Sequence, residues 1–576
     1  MPRLLAFLLL CAIAQAIAAP SFAAEAPDLI LHNGKIATVD KQFRIAQAVA
    51  ITGDRITKVG TNADVLKTKG EKTRVVDLQG KFAMPGLMDS HVHPSSASLH
   101  EFDHPIPDME SIADVLAYIR SRAAVVPEGS WITVRQVFIT RLKEPRYPTR
   151  AELDAAAPKH PVMFSTGPDA MLSTLALKES GIDKDFKVTG TGQIEKDPLT
   201  GEPTGMLRSC TRYAKPKSSG KSATDEEKLA RYRELFADYN SVGLTTVSDR
   251  SCGEGELNRY KQLLDDGLLT VRMMVSGSVD AAGKTESVQE RIRFWGKHPL
   301  RAKSNRLRVV GTKSFLDGGM LTGSAYMREP WGISEIYSIR DPDYRGVLFV
   351  EPDKLKAIVQ TAVEEKLQFT AHSVGDGAIH NLLDAYEAVN HTLPVRETRP
   401  CITHCNFLTK DAVDQMAKLG VVADIQPAWL YLDARVLTTQ FGYDRVRYFQ
   451  PLKSLFEKGA IAGGGSDHMQ KIGSLRSINP YNPFLGMATT ITRNARWYDG
   501  RFHPEESLSR EQAIRFYTTN NAYLLFLEDE VGSLETGKQA DLIVLDRDLL
   551  TCPETDIAGT KVLQTYLAGK LIYEGK

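Results

Sequence analysis

Between residues 244 and 467, apolar runs of strand length alternate with amphipathic segments of helix length, and this alternation restricts the possible folds more than any other feature. Strand-length runs fall at 244–248, 271–275, 307–314, 367–372, 401–404, 421–425 and 461–467, with helical patterns such as 353–366 and 410–419 between them. With one more run that ends at His91 and His93, this gives about eight strands separated by helices, the sequence form of a (β/α)8 barrel. Such barrels place their chemistry at the C-terminal ends of the strands. His91, His93, Lys313, His372, His404 and Asp467 all stand at or near such ends.

The first of these groups lies in Met84-Pro85-Gly86-Leu87-Met88-Asp89-Ser90-His91-Val92-His93-Pro94. Side chains alternate along a strand, so both imidazoles point to one side and can reach one cation, while Val92 packs on the other. Residues 82–88 read as the apolar approach of a buried strand, and Pro94 ends it by removing a ladder donor. A His-x-His on a surface strand is the plain alternative, and it loses ground only because the other strand ends carry ligand types too. His372 and His404, taken singly, are equally compatible with structural histidines. Asp467 follows Gly463-Gly464-Gly465-Ser466, a turn whose small residues let a backbone approach a ligand. No Lys-Ser or Lys-Thr follows these glycines, which argues against a phosphate loop. Lys313 either reaches solvent or, if it faces a metal, is neutral or modified, because an ammonium would repel the cation. Four histidines, an aspartate and a neutral lysine suit zinc or a similar borderline ion. Two such ions about 3.5–4 Å apart could share a hydroxide and polarise a substrate carbonyl.

The two ends of the chain share a different texture. Short strand-like runs punctuated by Gly, Asn and Asp occupy 28–78, and the same pattern returns at 540–545, 562–567 and 571–573. A small sheet cannot leave its apolar face bare, so segments 25–82 and 531–576 are expected to form one β-sandwich. The barrel then spans 83–530, interrupted by an insertion at about 95–240 that is expected to sit over the first strand's C-terminal end. Within it, Ser111 and Thr149 read as helix caps. Residues 1–24 have a basic start, an apolar run and small residues at Ser21-Phe22-Ala23-Ala24, the form of a secretory signal, which implies a periplasmic or secreted protein. The run is short for a membrane span. Lys+Arg 71 against Asp+Glu 71 offers no basic bias for nucleic acid, so the expected partner is a small-molecule substrate. The sequence is compatible with a homo-oligomer and does not specify one. Past the signal stand Cys210, Cys252, Cys401, Cys405 and Cys552, with no Cys-x-x-Cys and no disulfide framework.

These motifs resemble the amidohydrolase superfamily, and within it the branch grouped as amidohydrolase family 3, the YtcJ-like and N-substituted formamide deformylase-like proteins. The resemblance runs over nearly all of the chain past the signal. It is carried by Pro85-Gly86-Leu87-Met88-Asp89-Ser90-His91-Val92-His93, by Pro148-Thr149-Arg150-Ala151-Glu152-Leu153, and by Gly201-Glu202-Pro203-Thr204-Gly205. It continues through Lys313 with Asp317-Gly318, Ala371-His372, Thr403-His404-Cys405, Gly465-Ser466-Asp467 and Gly537-Lys538-Gln539-Ala540-Asp541. The resemblance implies His91 and His93 on one metal, His372 and His404 on a second, and Lys313 carboxylated as their bridge. It also implies that Asp467 ligates a metal and shuttles the proton. The chain departs from the family at Gly167-Pro168-Asp169-Ala170, where an Asp-Gly-His element is frequent, and at His468-Met469-Gln470, where a proline is common.

The expected activity is hydrolysis of a non-peptide carbon–nitrogen bond in an amide, formamide or cyclic amide, with two zinc ions and Asp467 as the acid–base residue. An ester or lactone hydrolase uses the same machinery. A mononuclear deaminase would not need Lys313, and a non-enzymatic metal- or ligand-binding protein would not need the aspartate. Asp317, Tyr326, Gln426, Trp429 and Arg493 are the expected substrate-wall residues, with core or surface roles as the alternative.

Overall fold

The computed structural model describes residues 26–575 except 136, 191, 218 and 219. The segment read as an export signal, 1–24, lies outside the described residues. The central sheet has eight parallel strands: β1 (Leu87–Val92), β2 (Leu244–Cys252), β3 (Arg272–Ser278), β4 (Leu307–Phe315), β5 (Gln368–Ser373), β6 (Cys401–His404), β7 (Val422–Ile425) and β8 (Ala462–Gly464). Each pairs with the next in sequence order. The seam between β8 and β1 is closed just beyond β8, where Asp467 N donates to His91 O over 2.8 Å and His93 N to His468 O over 2.7 Å. The sheet is therefore a nearly closed (β/α)8 barrel.

The intervening helices form where caps and apolar spacing agree. Lys410–Leu419 starts on Thr409, whose side chain accepts from Ala412 N, and stops at Gly420 in the left-handed region. Its buried residues Ala412, Val413, Met416 and Leu419 face the barrel at helical spacing. Asp225–Ser241, which leads into β2, is opened by a capping box between Thr224 and Glu227. Among the described residues no helix is long and apolar enough to cross a membrane. Cys210, Cys252, Cys401, Cys405 and Cys552 are free thiols.

The run 82–88, read from sequence as one approach, is divided between two sheets. Phe82–Pro85 pairs antiparallel with Leu542–Leu545, and only Leu87–Val92 enters the barrel. The break falls at Gly86, where a Cβ would lie 2.3 Å from Thr245 Oγ1. Only a residue without a side chain lets the strand cross this tightly from one sheet to the other. A six-stranded sheet, holding Phe82–Pro85, Lys35–Ala37, Ile45–Ala46 and the three C-terminal strands, faces a four-stranded sheet of Arg55–Gly60, Ala48–Thr52, Leu29–His32 and Arg74–Asp77. Leu31, Ile36, Val49, Ile51, Leu542 and Val544 fill the space between.

The insertion, which showed no regular alternation in sequence, contains a five-stranded sheet built from Ile132–Arg135, Val162–Ser165, Ala170–Leu172, Gln193–Lys196 and Pro203–Arg208. The caps expected there form: Ser111 accepts from Asp114 N, and Thr149 makes a capping box with Glu152. Val115, Ile119 and Phe164 of the insertion share a core with Trp331 and Tyr337 of the long loop after β4 and with Leu430 and Leu437 beyond β7. The insertion is thus fastened to loops at the C-terminal end of the barrel.

One buried ion pair locks the sandwich to the barrel. Arg272 of β3 reaches Asp541 over 2.6 and 2.8 Å and Gln539 over 2.9 Å. Removing one partner of a buried pair leaves an uncompensated charge, which costs about 3–5 kcal/mol. Asp541→Ala is therefore expected to lower the unfolding free energy by an amount in that range, read as a lower urea midpoint at unchanged slope. An unchanged midpoint would show that the pair does not hold the two units together.

Candidate metal centre

His91 and His93 leave the barrel at the end of β1, and Asp467 arrives across the seam. His91 Nε2 and His93 Nε2 stand 3.2 Å apart, and Asp467 Oδ1 lies 3.3 Å from the first and 3.2 Å from the second. Two imidazole nitrogens and a carboxylate oxygen converging this closely form a donor set suited to a borderline cation. On its far side, the His91 ring presents Nδ1 to Asp424 Oδ2 at 3.5 Å, and neither atom has a hydrogen-bond partner. A cation on Nε2 would favour the Nδ1–H tautomer and draw that proton toward the carboxylate, so these residues fit a metal ion.

The other two histidines adjoin this set. The His404 ring centroid lies 5.2 Å from that of His91 and 4.5 Å from that of His372. His404 Nδ1 pairs with Gln426 Oε1 at 2.7 Å, which makes Nδ1 the protonated nitrogen and leaves Nε2 free to ligate. His372 Nε2 pairs with Gly318 O at 3.2 Å, so its Nδ1 carries the lone pair. Lys313, on β4, is buried among them, and burial lowers its amine to about 8, against the pull of the Asp467 and Asp424 charges. Burial first, then the Lys313 charge, holds His372 down at about 3. Burial likewise lowers His91 and His404, so these three imidazoles are kept neutral, the state a metal ligand requires.

Asp467 is held in the left-handed region, with φ 57°. Asn479 Nδ2 donates to its carbonyl at 2.7 Å and to its Oδ2 at 3.2 Å, leaving Oδ1 toward the histidines. Asn479 Oδ1 in turn accepts from Arg141 of the insertion at 2.8 Å, and Arg141 is paired with buried Asp433 at 2.9 Å. His468, next to Asp467, has both ring nitrogens engaged: Nδ1 with Tyr239 Oη, and Nε2 with the carbonyls of Gln470 and Lys471, each at 2.8 Å. It has no nitrogen left for a base role.

The expected wall residues divide by what they touch. Trp429 stacks on His404 with centroids 4.6 Å apart. Gln426 is occupied in orienting His404 and in donating to Asp424 Oδ1 at 3.1 Å. Asp317 is fully buried and accepts from Tyr326 N, Val374 N and Gly375 N over 2.9–3.0 Å, so it shapes the loops around His372. Burial pushes its carboxyl up to about 8, in spite of those donors. Tyr326 packs against Gly375 and Gly377 at the start of the helix Asp376–Asn390. Arg493 is buried and spends its guanidinium on the carbonyls of Phe502, Gln450 and Phe449. Asp169, in the departure at 167–170, accepts from Ser209 N and Ser324 Oγ and so fastens the insertion to the loop after β4.

Sequence reading missed Asp424 and Arg250. Asp424 accepts from Ser90 Oγ at 2.7 Å and lies 3.5 Å from Arg250 Nε, while Arg250 also donates to Ser90 O, Ser276 Oγ and Gln368 Oε1. The available signals were Asp424, alone in an apolar strand, and the adjacent Asp249-Arg250 in β2, since a buried charge needs a partner.

Comparison with known proteins identifies the family. The model of the amidohydrolase family matches residues 74–573. The N-substituted formamide deformylase of Arthrobacter pascens is 27% identical over 95% of this chain and 98% of its own length. The putative amidohydrolase YtcJ of Bacillus subtilis is 23% identical over 95% of this chain and 99% of its own. Among solved structures, an uncharacterized metal-dependent hydrolase from Pyrococcus furiosus superposes with a TM-score of 0.63 at 23% identity, covering 91% of this chain and 100% of that one. The chain belongs to the amidohydrolase family.

Proposed function

We propose that this metal-dependent hydrolase opens the carbon–nitrogen bond of a non-peptide amide, formamide or cyclic amide, with two zinc ions and a carboxylated Lys313. The observation that carries the reading is the convergence of His91, His93 and Asp467 within 3.3 Å, next to a buried Lys313 and two further neutral histidines. The formamide class is supported by the deformylase relative. His91 and His93 would hold one ion, His372 and His404 the other, with Asp467 on the first and Lys313 between them. Ions held there would supply Lewis acidity toward a scissile carbonyl and make a bound water more acidic.

The protein's own groups account for the proton. Asp467 takes it from the attacking water and delivers it to the departing nitrogen, because Asn479 occupies Oδ2 and leaves Oδ1 facing the site. Gln426 fixes the His404 tautomer, and the Trp429 ring covers that imidazole and keeps bulk water from it. Lys313 can accept carbon dioxide only as the free amine, and its lowered pKa of about 8 raises that fraction near neutrality. An ester or lactone would suit the same geometry, whereas a mononuclear deaminase would leave the buried lysine unexplained. Export is supported by the pattern of residues 1–24, and sequencing the N-terminus of the mature protein tests it.

Zinc-loaded protein is expected to turn over members of an N-formyl, N-acyl and cyclic amide panel faster than matched esters, and to lose that turnover on chelation. Esters as the only substrates would overturn the carbon–nitrogen assignment. Lys313→Ala should bring metal content toward one ion and nearly abolish turnover, with partial recovery in short carboxylates. Unchanged metal content and rate would favour the mononuclear reading. Asp467→Asn keeps an oxygen near the metal but cannot carry the proton, so kcat should fall by about 10²–10⁴-fold or more with a smaller change in KM. At matched metal occupancy His468→Ala should be the milder change, and a reversed order would remove the shuttle role from Asp467.

A further inference from the structure

Two cavities open beside the histidine cluster, between the insertion and the barrel mouth. The larger, about 690 Å³, has walls at Ser95 and Ser96, just beyond His93, and at Met469, two residues after Asp467. The smaller, about 400 Å³, runs past Ser477 and Ile478, next to Asn479. Both volumes suit a small organic ligand. Arg135 and His100 line both, and so stand where the two meet.

The walls are far more basic than the protein. The chain as a whole balances 71 basic against 71 acidic residues, yet Arg122, Arg135, Lys217, Lys221 and Lys228 line the larger cavity against one carboxylate, Asp103. Several cations around the two cavities are already spoken for. Arg122 faces Asp103 at 3.6 Å, Lys228 holds Asp225 at 3.0 Å, Lys471 holds Asp108 at 2.6 Å and Arg141 holds Asp433 at 2.9 Å. Arg135 differs: among the described residues no carboxylate or carbonyl accepts from its guanidinium. It stands at the end of the strand Ile132–Arg135, whose pairing with Val162–Ser165 fixes the backbone beneath it. Burial, then the charges of Lys471 and Arg135, hold His100 at about 4, so it faces Arg135 as a neutral imidazole. A planar guanidinium without a partner on a concave wall is matched by a carboxylate, which it can hold through two parallel hydrogen bonds.

We propose that Arg135, with His100 beside it, anchors a carboxylate carried by the substrate, so that the amide opened at the histidine cluster belongs to an anionic molecule. This rests on the hydrolase reading above and narrows it. The test is calorimetric titration of the zinc-loaded protein with 3-phenylpropionate and with 3-phenylpropanamide, its neutral counterpart. It is run alongside hydrolysis of an amide pair that differs only in a distal carboxylate or carboxamide. Wild type is expected to favour the anion by roughly tenfold or more, the scale of one charge-assisted hydrogen bond. Arg135→Gln should reduce the preference to about threefold or less through KM, with kcat and thermal midpoint held because no partner is lost, and Arg135→Lys should keep part of it. A preference that survives in Arg135→Gln would place the carboxylate elsewhere, on the metal ligands, and overturn the proposal. So would a wild type without preference. If the probes behave as expected while no amide is turned over, the anion site stands and the hydrolase reading falls. If amides are turned over without regard to Arg135, the reverse holds.

Discussion

The convergence of His91, His93 and Asp467 depends on a backbone seam. Nothing about three polar side chains brings them within 3.3 Å by itself, since in water each would keep its own hydration. What imposes the approach is the meeting of the first and last barrel strands, where Asp467 N bonds to His91 O and His93 N to His468 O. Asp89 reinforces it by accepting from both His91 N and Ser466 N, at 2.9 and 3.0 Å. Gly465 permits it, because a Cβ there would lie 2.8 Å from Ser90 Oγ and 2.9 Å from His91 N. The glycine-rich turn before Asp467 thus serves close strand packing, and the ligand geometry follows from barrel closure.

Below that seam lies a buried polar web whose charges are expensive alone and stable together. Arg250 and Asp424 are both fully buried, and desolvating either without the other would cost several kcal/mol. Their 3.5 Å contact supplies part of the compensation, and Ser90, Ser276, Gln368 and Gln426 bond further atoms of the pair, while Asp424 Oδ2 and Arg250 Nη2 keep no hydrogen-bond partner among the described residues. The web also orients the candidate ligands: Asp424 faces His91, and Gln426 bonds both Asp424 and His404. Arg493 extends it by gripping the carbonyl of Gln450, whose side chain donates to the carbonyl of Gln426 at 2.9 Å. A residue expected at the substrate wall thus acts at a distance through two hydrogen-bonded glutamines.

How much of this could be read from the sequence follows from which physics is local. Strand alternation is local, so the eight barrel strands and the strand-end positions of His91, His93, Lys313, His372, His404 and Asp467 were legible, and the structure brings these residues into one cluster. Helix caps are local as well, and Ser111 and Thr149 declared themselves. The insertion's sheet was hidden because its strands are short and lie in the order Gln193–Lys196, Pro203–Arg208, Ala170–Leu172, Val162–Ser165 and Ile132–Arg135, so that Pro203–Arg208 bonds Ala170–Leu172, far from it in sequence. The crossing at Gly86 was hidden because its cause, Thr245, stands far away in sequence. Roles for Gln426, Asp317 and Arg493 could not be read because a polar residue near a strand end looks the same whether it faces a substrate, a ligand or a carbonyl.

The insertion is then more than a cover. Arg141, which it contributes, bridges Asp433 of the helix after β7 and Asn479, and Asn479 in turn holds Asp467. The same insertion contributes Arg135 to the cavities beside the cluster. One segment therefore reaches Asp467 through one arginine and Asn479, and lines the adjoining space with another arginine. Sequence change in such a segment alters what enters without disturbing β1 or β8, because the barrel seam that sets the histidines is made of backbone hydrogen bonds the insertion does not supply. That separation of ligand geometry from cavity lining is how one barrel can keep its chemistry while its substrates diverge.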